Sequence, residues 1–420
     1  MKRSTICIQE GYKPKNGEAR VLPIFQSTTY KYESSEELAG LFDLTQEGHM
    51  YSRISNPTVA AVEAKIAALE GGVGAMMTSS GQAASLLSIL NITSCGENVL
   101  AADNLYGGTT NLFSVTLKRI GIEVRFFSQE MSDEEIEAMM DDKTRLIFTE
   151  TLSNPSLQVL DIERMANLAH KHGMPLIVDN TFTTPILCRP FEFGADIVVH
   201  STSKYMDGHA TVVGGVIVDS GKFDWSNYPA LTEPDESYHG VRYVKDFGSA
   251  AYITKARVQL MRDFGVTPQA MTGFILNLGL ETLALRIERH SQNADKVARY
   301  LKNHPKVEWV NYPGLEDDKY HDLAMKYFEK GMCSGVVAVG IKGGKEKAQV
   351  FMDSLKMAAI VVHVADARTC VLHPASTTHR QLTDEQLIAA GVKPEFVRLS
   401  VGIEDVEDII ADLEQALENV

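Results

Sequence analysis

Little in this sequence suits a disulfide scaffold, a metalloprotein, a membrane protein or a nucleic-acid binder. Its five cysteines, Cys7, Cys95, Cys188, Cys333 and Cys370, are odd in number and widely scattered. No pair has zinc spacing and no disulfide framework emerges, so a reducing, cytoplasmic setting is expected. No H-E-x-x-H occurs, and His373 and His379 in "HPASTTH" are not at standard zinc spacing, so no metal is expected. The net charge of −15 leaves no basic face for nucleic acid or an anionic membrane surface. No run approaches the length of a membrane span, and "MKRSTICIQEGYKPKNG" lacks the apolar core of a signal peptide. Internal repeats and low-complexity segments are missing as well. No G-x-G-x-x-G opens a helix after the first strand. "GVIVDSGKF" has neither the spacing of a phosphate-binding P-loop nor a hydroxyl after its lysine.

What is present is ordinary for a soluble globular chain, with 44% hydrophobic and 23% charged residues. A length of 420 residues suggests two or three domains. Residues 1 to about 55 read as irregular, with turn-rich "KPKNGE" and "RISNP". Such an arm buries little by itself and is expected to lie against something else, such as another subunit. From residue 58, "TVAAVEAKIAALEGG" has helical spacing and ends on glycine. Short apolar runs then alternate with helical stretches: "NVLAA" (98–102), "VRFF" (124–127), "RLIFTE" (145–150), "PLIVDN" (175–180), "DIVVHS" (196–201) and "VGGVIVD" (213–219). This alternation predicts an α/β fold, a mostly parallel sheet flanked by helices. Residues 220–250 read as an ordered polar and aromatic insertion. A long helical stretch, "GLETLALRIERHSQNADKVARYLKNHP", leads to a smaller C-terminal domain with "SGVVAVGI", "AAIVVHVA", "FVRLSVGI" and a helix from Asp405. The expected divisions are an arm at 1–55, a large domain at 56–285 and a C-terminal domain at 286–420.

In such a sheet, ligands bind beyond the carboxyl ends of the strands. There the sequence places Asn154, Asp179 and the run Ser201 to Lys204. Alone, Lys204 reads as a surface lysine in a loop. A partly desolvated amine, however, has a lowered pKa and condenses with an aldehyde. With Asp179 at another strand end, the pair fits pyridoxal 5′-phosphate (PLP), which needs a lysine to bond to and a carboxylate to keep its ring nitrogen protonated. "TSSGQAASLLSIL" opens a helix at Ser80, Gly81 and Gln82, where backbone N–H groups and the helix dipole favour a phosphate. An ordinary N-cap would look the same. Ser201 and Ser203 offer further hydroxyls. Tyr106 in "DNLYGGT" suits stacking on a ring as well as it suits packing. Arg398, inside apolar "FVRLSVG", is either half of a structural ion pair or a clamp on a substrate carboxylate.

The ordered segments "YSRISNPT", "SSGQAA", "LYGGT", "SNPSLQVLDI", "VDNTF", "VVHSTSKYMDGH", "LHPASTTH" and "VRLSVGIED" resemble the γ-family of fold-type I PLP enzymes, which act on cysteine, methionine and homoserine derivatives. Within it, "SGKFDW", "EPDESYHG", "AAYITKARVQLMRD" and "VEWVNYPGL" are most similar to the O-acetylhomoserine sulfhydrylase branch. The methionine γ-lyases carry a cysteine where this chain has Gly108.

The resemblance implies a transferase of methionine biosynthesis and transsulfuration, making homocysteine from O-acetylhomoserine and sulfide, or methionine from methanethiol. A methionine γ-lyase and a cystathionine γ-synthase or lyase are the alternatives, and a PLP-binding protein without turnover is a different class. The resemblance gives Lys204 the covalent bond to PLP and the proton transfers. It gives Asp179 the ring nitrogen, Asn154 the ring hydroxyl, and Tyr106 stacking and help to the leaving group. Ser80, Gly81, Gln82, Ser201 and Ser203 fall at the phosphate. Tyr51 and Arg53 reach the phosphate of a neighbouring subunit, Tyr51 also near substrate, which implies a homodimer, usually paired into a homotetramer. Arg398 clamps the substrate carboxylate. "IVVHVADARTC" departs from the family, with His363 and Ala365 where relatives carry a small polar residue and a glycine.

Overall fold

The computed structural model describes residues 1–377 and 392–420. His379 lies outside the described residues. Seven strands form the main sheet: β1 (Gly74–Thr78), β2 (Asn98–Ala102), β3 (Glu123–Phe127), β4 (Thr144–Glu150), β5 (Leu176–Asp179), β6 (Ile197–His200) and β7 (Gly215–Asp219). Their order is β1-β7-β6-β5-β4-β2-β3. Strands β2 to β6 are parallel to one another, and β7 runs antiparallel to both β6 and β1. Six strands, all but β3, are buried along their whole length or all but one residue, as expected for a sheet covered on both faces. The six apolar runs became strands at the expected places. The seventh, β1, escaped the sequence reading because "GAMMT" has no β-branched side chain before its last residue.

The helix Pro57–Glu70 shows why its sequence folds as it does. Asn56 accepts hydrogen bonds from the N–H groups of Thr58 and Val59, and proline occupies the first turn. The helix Gly81–Leu90 starts at Ser80, whose hydroxyl accepts from Ala83 N at 3.1 Å. The arm differs from expectation in two places: Ser35–Phe42 is a helix, started by the Ser34 hydroxyl accepting from Glu37 N at 3.1 Å, and the first residues are helical too. Arg3–Gln9 is helical, buries Ile6 and Cys7, and is anchored by Arg3 Nη1 donating to Ile186 O at 2.8 Å. So short a helix needs such packing to persist. The insertion at 220–250 is ordered by Trp225, stacked on Tyr252 with ring centroids 5.0 Å apart, and by Tyr228 Oη donating to Arg145 O at 2.6 Å.

The second sheet contains β8 (Val307–Asn311), β9 (Val336–Ile341), β10 (Ala359–Ile360), β11 (Cys370–Leu372) and β12 (Phe396–Ser400), in the order β10-β11-β12-β9-β8. Helices Leu283–Lys302, Gly344–Asp353 and Val406–Leu417 pack with it. Among the described residues no single helix is long and apolar enough to cross a membrane; Ala270–Glu281 and Leu283–Lys302 pass such a test only jointly and are bent by 59°.

Candidate active site

The parallel register sets the site. Glu150, the last residue of β4, lies opposite Asp179, the last of β5, and Asp179 lies opposite Val199 of β6. Just beyond these ends is a cavity of about 470 Å³. Ten of the residues singled out from the sequence line it: Ser80, Gly81, Gln82, Tyr106, Asn154, Asp179, Ser201, Ser203, Lys204 and Arg398. Tyr51 and Arg53 do not. They line a separate hollow with Phe25 and Pro268, the Arg53 guanidinium 5.2 Å from the Tyr51 ring centroid.

Lys204 stands on a rigid turn after β6. Its carbonyl accepts from Gly208 N at 2.7 Å, and Arg286 Nη1 donates to the next carbonyl, that of Tyr205, at 2.7 Å. Tyr205 is fully buried, its hydroxyl accepting from Gly335 N at 3.0 Å. Asp207 accepts from both the N–H and the hydroxyl of Thr211, at 2.8 and 2.6 Å. "KYMDGH" is thus the scaffold of the lysine. Burial, and secondarily the Arg398 charge, lower the Lys204 pKa to about 8.

Asp179 is fixed by Thr181, whose N–H and hydroxyl donate to one carboxylate oxygen at 2.9 and 2.5 Å. Burial raises its pKa and those two bonds oppose the rise. Sequence reasoning missed Glu150, which is 8% exposed and sits between two recognised residues. Its carboxylate accepts from Tyr106 N at 2.7 Å and from Asn154 N at 3.3 Å. Burial, and then the neighbouring Asp179 charge, push it well above the usual carboxylate range. The signal was the one that marked Asp179, a carboxylate closing an apolar run.

Arg398 is buried inside β12, and among the described residues no carboxylate pairs with it. Nη1 donates to Asn154 Oδ1 at 3.0 Å, Nη2 to the carbonyls of His363 and Val362 at 3.2 and 3.4 Å, and Nε to nothing. Among the described residues, then, Arg398 forms no structural ion pair. A buried guanidinium without a counter-ion costs several kcal/mol, which an incoming carboxylate would offset. His373, by contrast, is structural: Nε2 meets Pro394 O at 2.7 Å and Nδ1 the Ser376 hydroxyl at 2.9 Å.

The cavity fits a phosphorylated aldehyde by its own chemistry. An amine, a strand-end carboxylate and a helix N-terminus converge on it. A Cβ added to Gly81 would lie 2.6 Å from Ser201 Cβ, so only glycine leaves that helix start open. Gln82 Oε1 is buried and has no partner among the described residues. The Ser201 hydroxyl makes no hydrogen bond among the described residues, whereas Ser203 Oγ is exchanged with Gly214, donating to its carbonyl at 3.2 Å and accepting from its N–H at 3.0 Å. Gly81→Ala is expected to force a shift of about 1–3 kcal/mol, weakening PLP binding about 5- to 150-fold. Absorbance titration of the apoenzyme would measure it, and an unchanged Kd would refute the steric argument.

Known proteins match this chain along its length. An O-acetyl-L-homoserine sulfhydrylase of Thermus thermophilus is 47% identical, covering 99% of this chain and 100% of its own. One of Leptospira meyeri is 45% identical, covering 100% and 97%. A homocysteine synthase of Schizosaccharomyces pombe is 44% identical, covering 99% and 97%. A Campylobacter jejuni structure described as an O-acetylhomoserine (thiol)-lyase superposes with a TM-score of 0.96 at 38% identity, each chain covered in full, and carries a pyridoxyl-lysine monophosphate at its position 205. The architecture is that of the fold-type I PLP enzymes. The family model for Cys/Met metabolism PLP-dependent enzymes matches residues 4–418. That match runs through every strand end at the cavity, and the chain belongs to this family of PLP-dependent enzymes.

Proposed function

We propose that this enzyme replaces the acetoxy group of O-acetyl-L-homoserine by sulfide, giving L-homocysteine and acetate. The observation that carries the reading is Arg398, a buried guanidinium with no carboxylate partner among the described residues, on the wall of the cavity that holds Lys204. Such a group waits for the carboxylate of an α-amino acid. The bound PLP supplies a sink for the electrons of the broken Cα–H bond. Lys204 bonds to the cofactor, is released by the substrate amine, and removes the Cα hydrogen and then a Cβ hydrogen. Asp179, held by Thr181, keeps a proton on the ring nitrogen. Asn154 donates to the ring hydroxyl through its amide nitrogen, its oxygen being taken by Arg398. Tyr106 covers the ring and assists the leaving group. Gly81, Gln82, Ser80 and Ser201 hold the phosphate, with Ser203 beside them. At Cγ the C–O bond breaks, acetate leaves, and the sulfide sulfur forms the new C–S bond. Both hydrogens then return to carbon.

Gly108 favours replacement over the lyase alternative. A Cβ there would meet Gln82 Nε2 at 2.5 Å and the Tyr106 ring at 2.6 Å, so the lyase cysteine would displace the stacking tyrosine or its neighbour. We further propose a homodimer, paired into a homotetramer, in which Tyr51 and Arg53 reach the partner's phosphate. Their position outside their own chain's cavity supports this. The division into an arm (1–55), a cofactor domain (56–285) and a C-terminal domain (286–420) belongs to the same proposal; the two sheets end and begin at Asp219 and Val307. Product analysis tests the activity. Homocysteine and acetate are expected from O-acetylhomoserine only when sulfide is added, and nothing from methionine. Ammonia and 2-oxobutanoate from methionine alone would replace this reading with γ-elimination.

A further inference from the structure

The cavity wall that departs from the family pattern carries the one partner of the Lys204 amine among the described residues. Among the described residues, Lys204 Nζ makes a single hydrogen bond, to His363 Nδ1 at 3.4 Å. The other ring nitrogen, Nε2, is buried and has no partner among the described residues. The backbone beneath the ring is pinned to β11 and β12. His363 O accepts from Arg398 Nη2 at 3.2 Å and from Cys370 Sγ at 3.5 Å, and Ala365 N donates to Ser400 Oγ at 2.8 Å. Ala365 holds φ at 68°, a left-handed conformation that side-chain-bearing residues adopt at a cost. A segment kept in that state by its surroundings holds the imidazole at a defined point.

We propose that His363 is a positioning residue for Lys204, its Nδ1 accepting a hydrogen bond that keeps the amine in place whenever it is not bonded to the cofactor. The proposal rests on the reading of Lys204 as the base. A released lysine has a flexible four-carbon stem, and one fixed acceptor confines its nitrogen. The hydrogen bond needs a neutral ring with a bare Nδ1. Burial lowers the His363 pKa, the Lys204 and Arg398 charges lower it further, and the carboxylates of Asp366 and Asp207 oppose them. Facing Lys204 are Arg398, which lowers its pKa, and Cys370, which raises it. The neutral ring therefore carries its hydrogen on Nε2, and Nδ1 is the acceptor.

The test uses four holoenzymes, the wild type, His363→Leu, His363→Asn and His363→Gln, with L-norleucine, which has no γ leaving group. Asparagine places an oxygen near the position of Nδ1, whereas glutamine places one near Nε2. The absorbance change on norleucine binding reports displacement of Lys204, and loss of the Cα proton signal in D2O reports the base. His363→Leu is expected to slow Cα exchange by about 10- to 100-fold with the norleucine Kd unchanged. His363→Asn should restore exchange and His363→Gln should not. In the apoenzymes, the pH midpoint of PLP capture should fall in His363→Leu, where the ammonium has lost its acceptor, and return in His363→Asn. Exchange at the wild-type rate in His363→Leu, or rescue by glutamine rather than asparagine, would overturn the proposal. A wild type that shows no absorbance change with norleucine would instead overturn the reading of Lys204 beneath it.

Discussion

Lys204→Ala is expected to abolish turnover, with a loss of at least about 10⁴-fold in kcat. The alanine enzyme should also lose the visible absorbance of lysine-bound PLP. The size of the effect follows from the number of tasks proposed for one nitrogen, which would capture the cofactor, yield it to the substrate and move the hydrogens. The same nitrogen gives a pH signature. With the Lys204 pKa lowered to about 8, about a tenth of the amine is neutral at pH 7. An ordinary lysine near 10.4 would be neutral in only about one molecule in 2,500. Because the shift is downward, the reactive neutral form appears at lower pH, not higher. PLP capture by the apoenzyme should therefore rise with pH and level off above about 8. Stopped-flow absorbance would follow it, and a rate still climbing tenfold per pH unit through pH 9 would refute the desolvated lysine.

The parts of the site that could be read from sequence share one property: they put a polar side chain where an apolar run ends. Asp179 closes "LIVD", Lys204 follows "IVVHSTS", and Arg398 interrupts "FVRLS". Each is improbable as packing, so each carries chemical information. The fold followed from the same runs, because buried parallel strands are nearly continuous in apolar residues. What stayed hidden depends on which strands lie side by side. Glu150 closes "RLIFTE" just as plainly, but its significance comes from its register with Asp179 and from the backbones of Tyr106 and Asn154 it holds. Thr181 reads as the turn after a strand until its two hydrogen bonds to Asp179 are in place. The contact of His363 with Lys204 spans 159 residues of sequence, and no local pattern could announce it. The helix Arg3–Gln9 was missed for a related reason, since its stability comes from the helices it packs on and not from its own composition.

Replacing Arg398 should separate recognition from chemistry. Arg398→Gln is expected to cost about 2–5 kcal/mol of substrate binding, which is about 30- to 5,000-fold in Kd. Most of that loss should fall on KM. The carboxylate is held in the ground state as in the transition state, and removing uniform binding raises KM more than it lowers kcat. Arg398→Lys should recover little. A lysine restores the charge but not the planar fork, and the present guanidinium divides its hydrogens among Asn154, the carbonyls of residues 362 and 363, and a free Nε. The decisive comparison is between L-norleucine and pentylamine, the same molecule without its carboxylate, each titrated by the absorbance change on binding. In the wild type the amino acid should bind far more tightly than the amine. In Arg398→Gln that preference should collapse while the affinity for the amine is kept. If both ligands weakened together, Arg398 would be supporting the cavity through Asn154 instead of reading the carboxylate. The buried cation, unpaired among the described residues, would then need another explanation, because its desolvation is a standing cost to the fold that no carboxylate among those residues offsets.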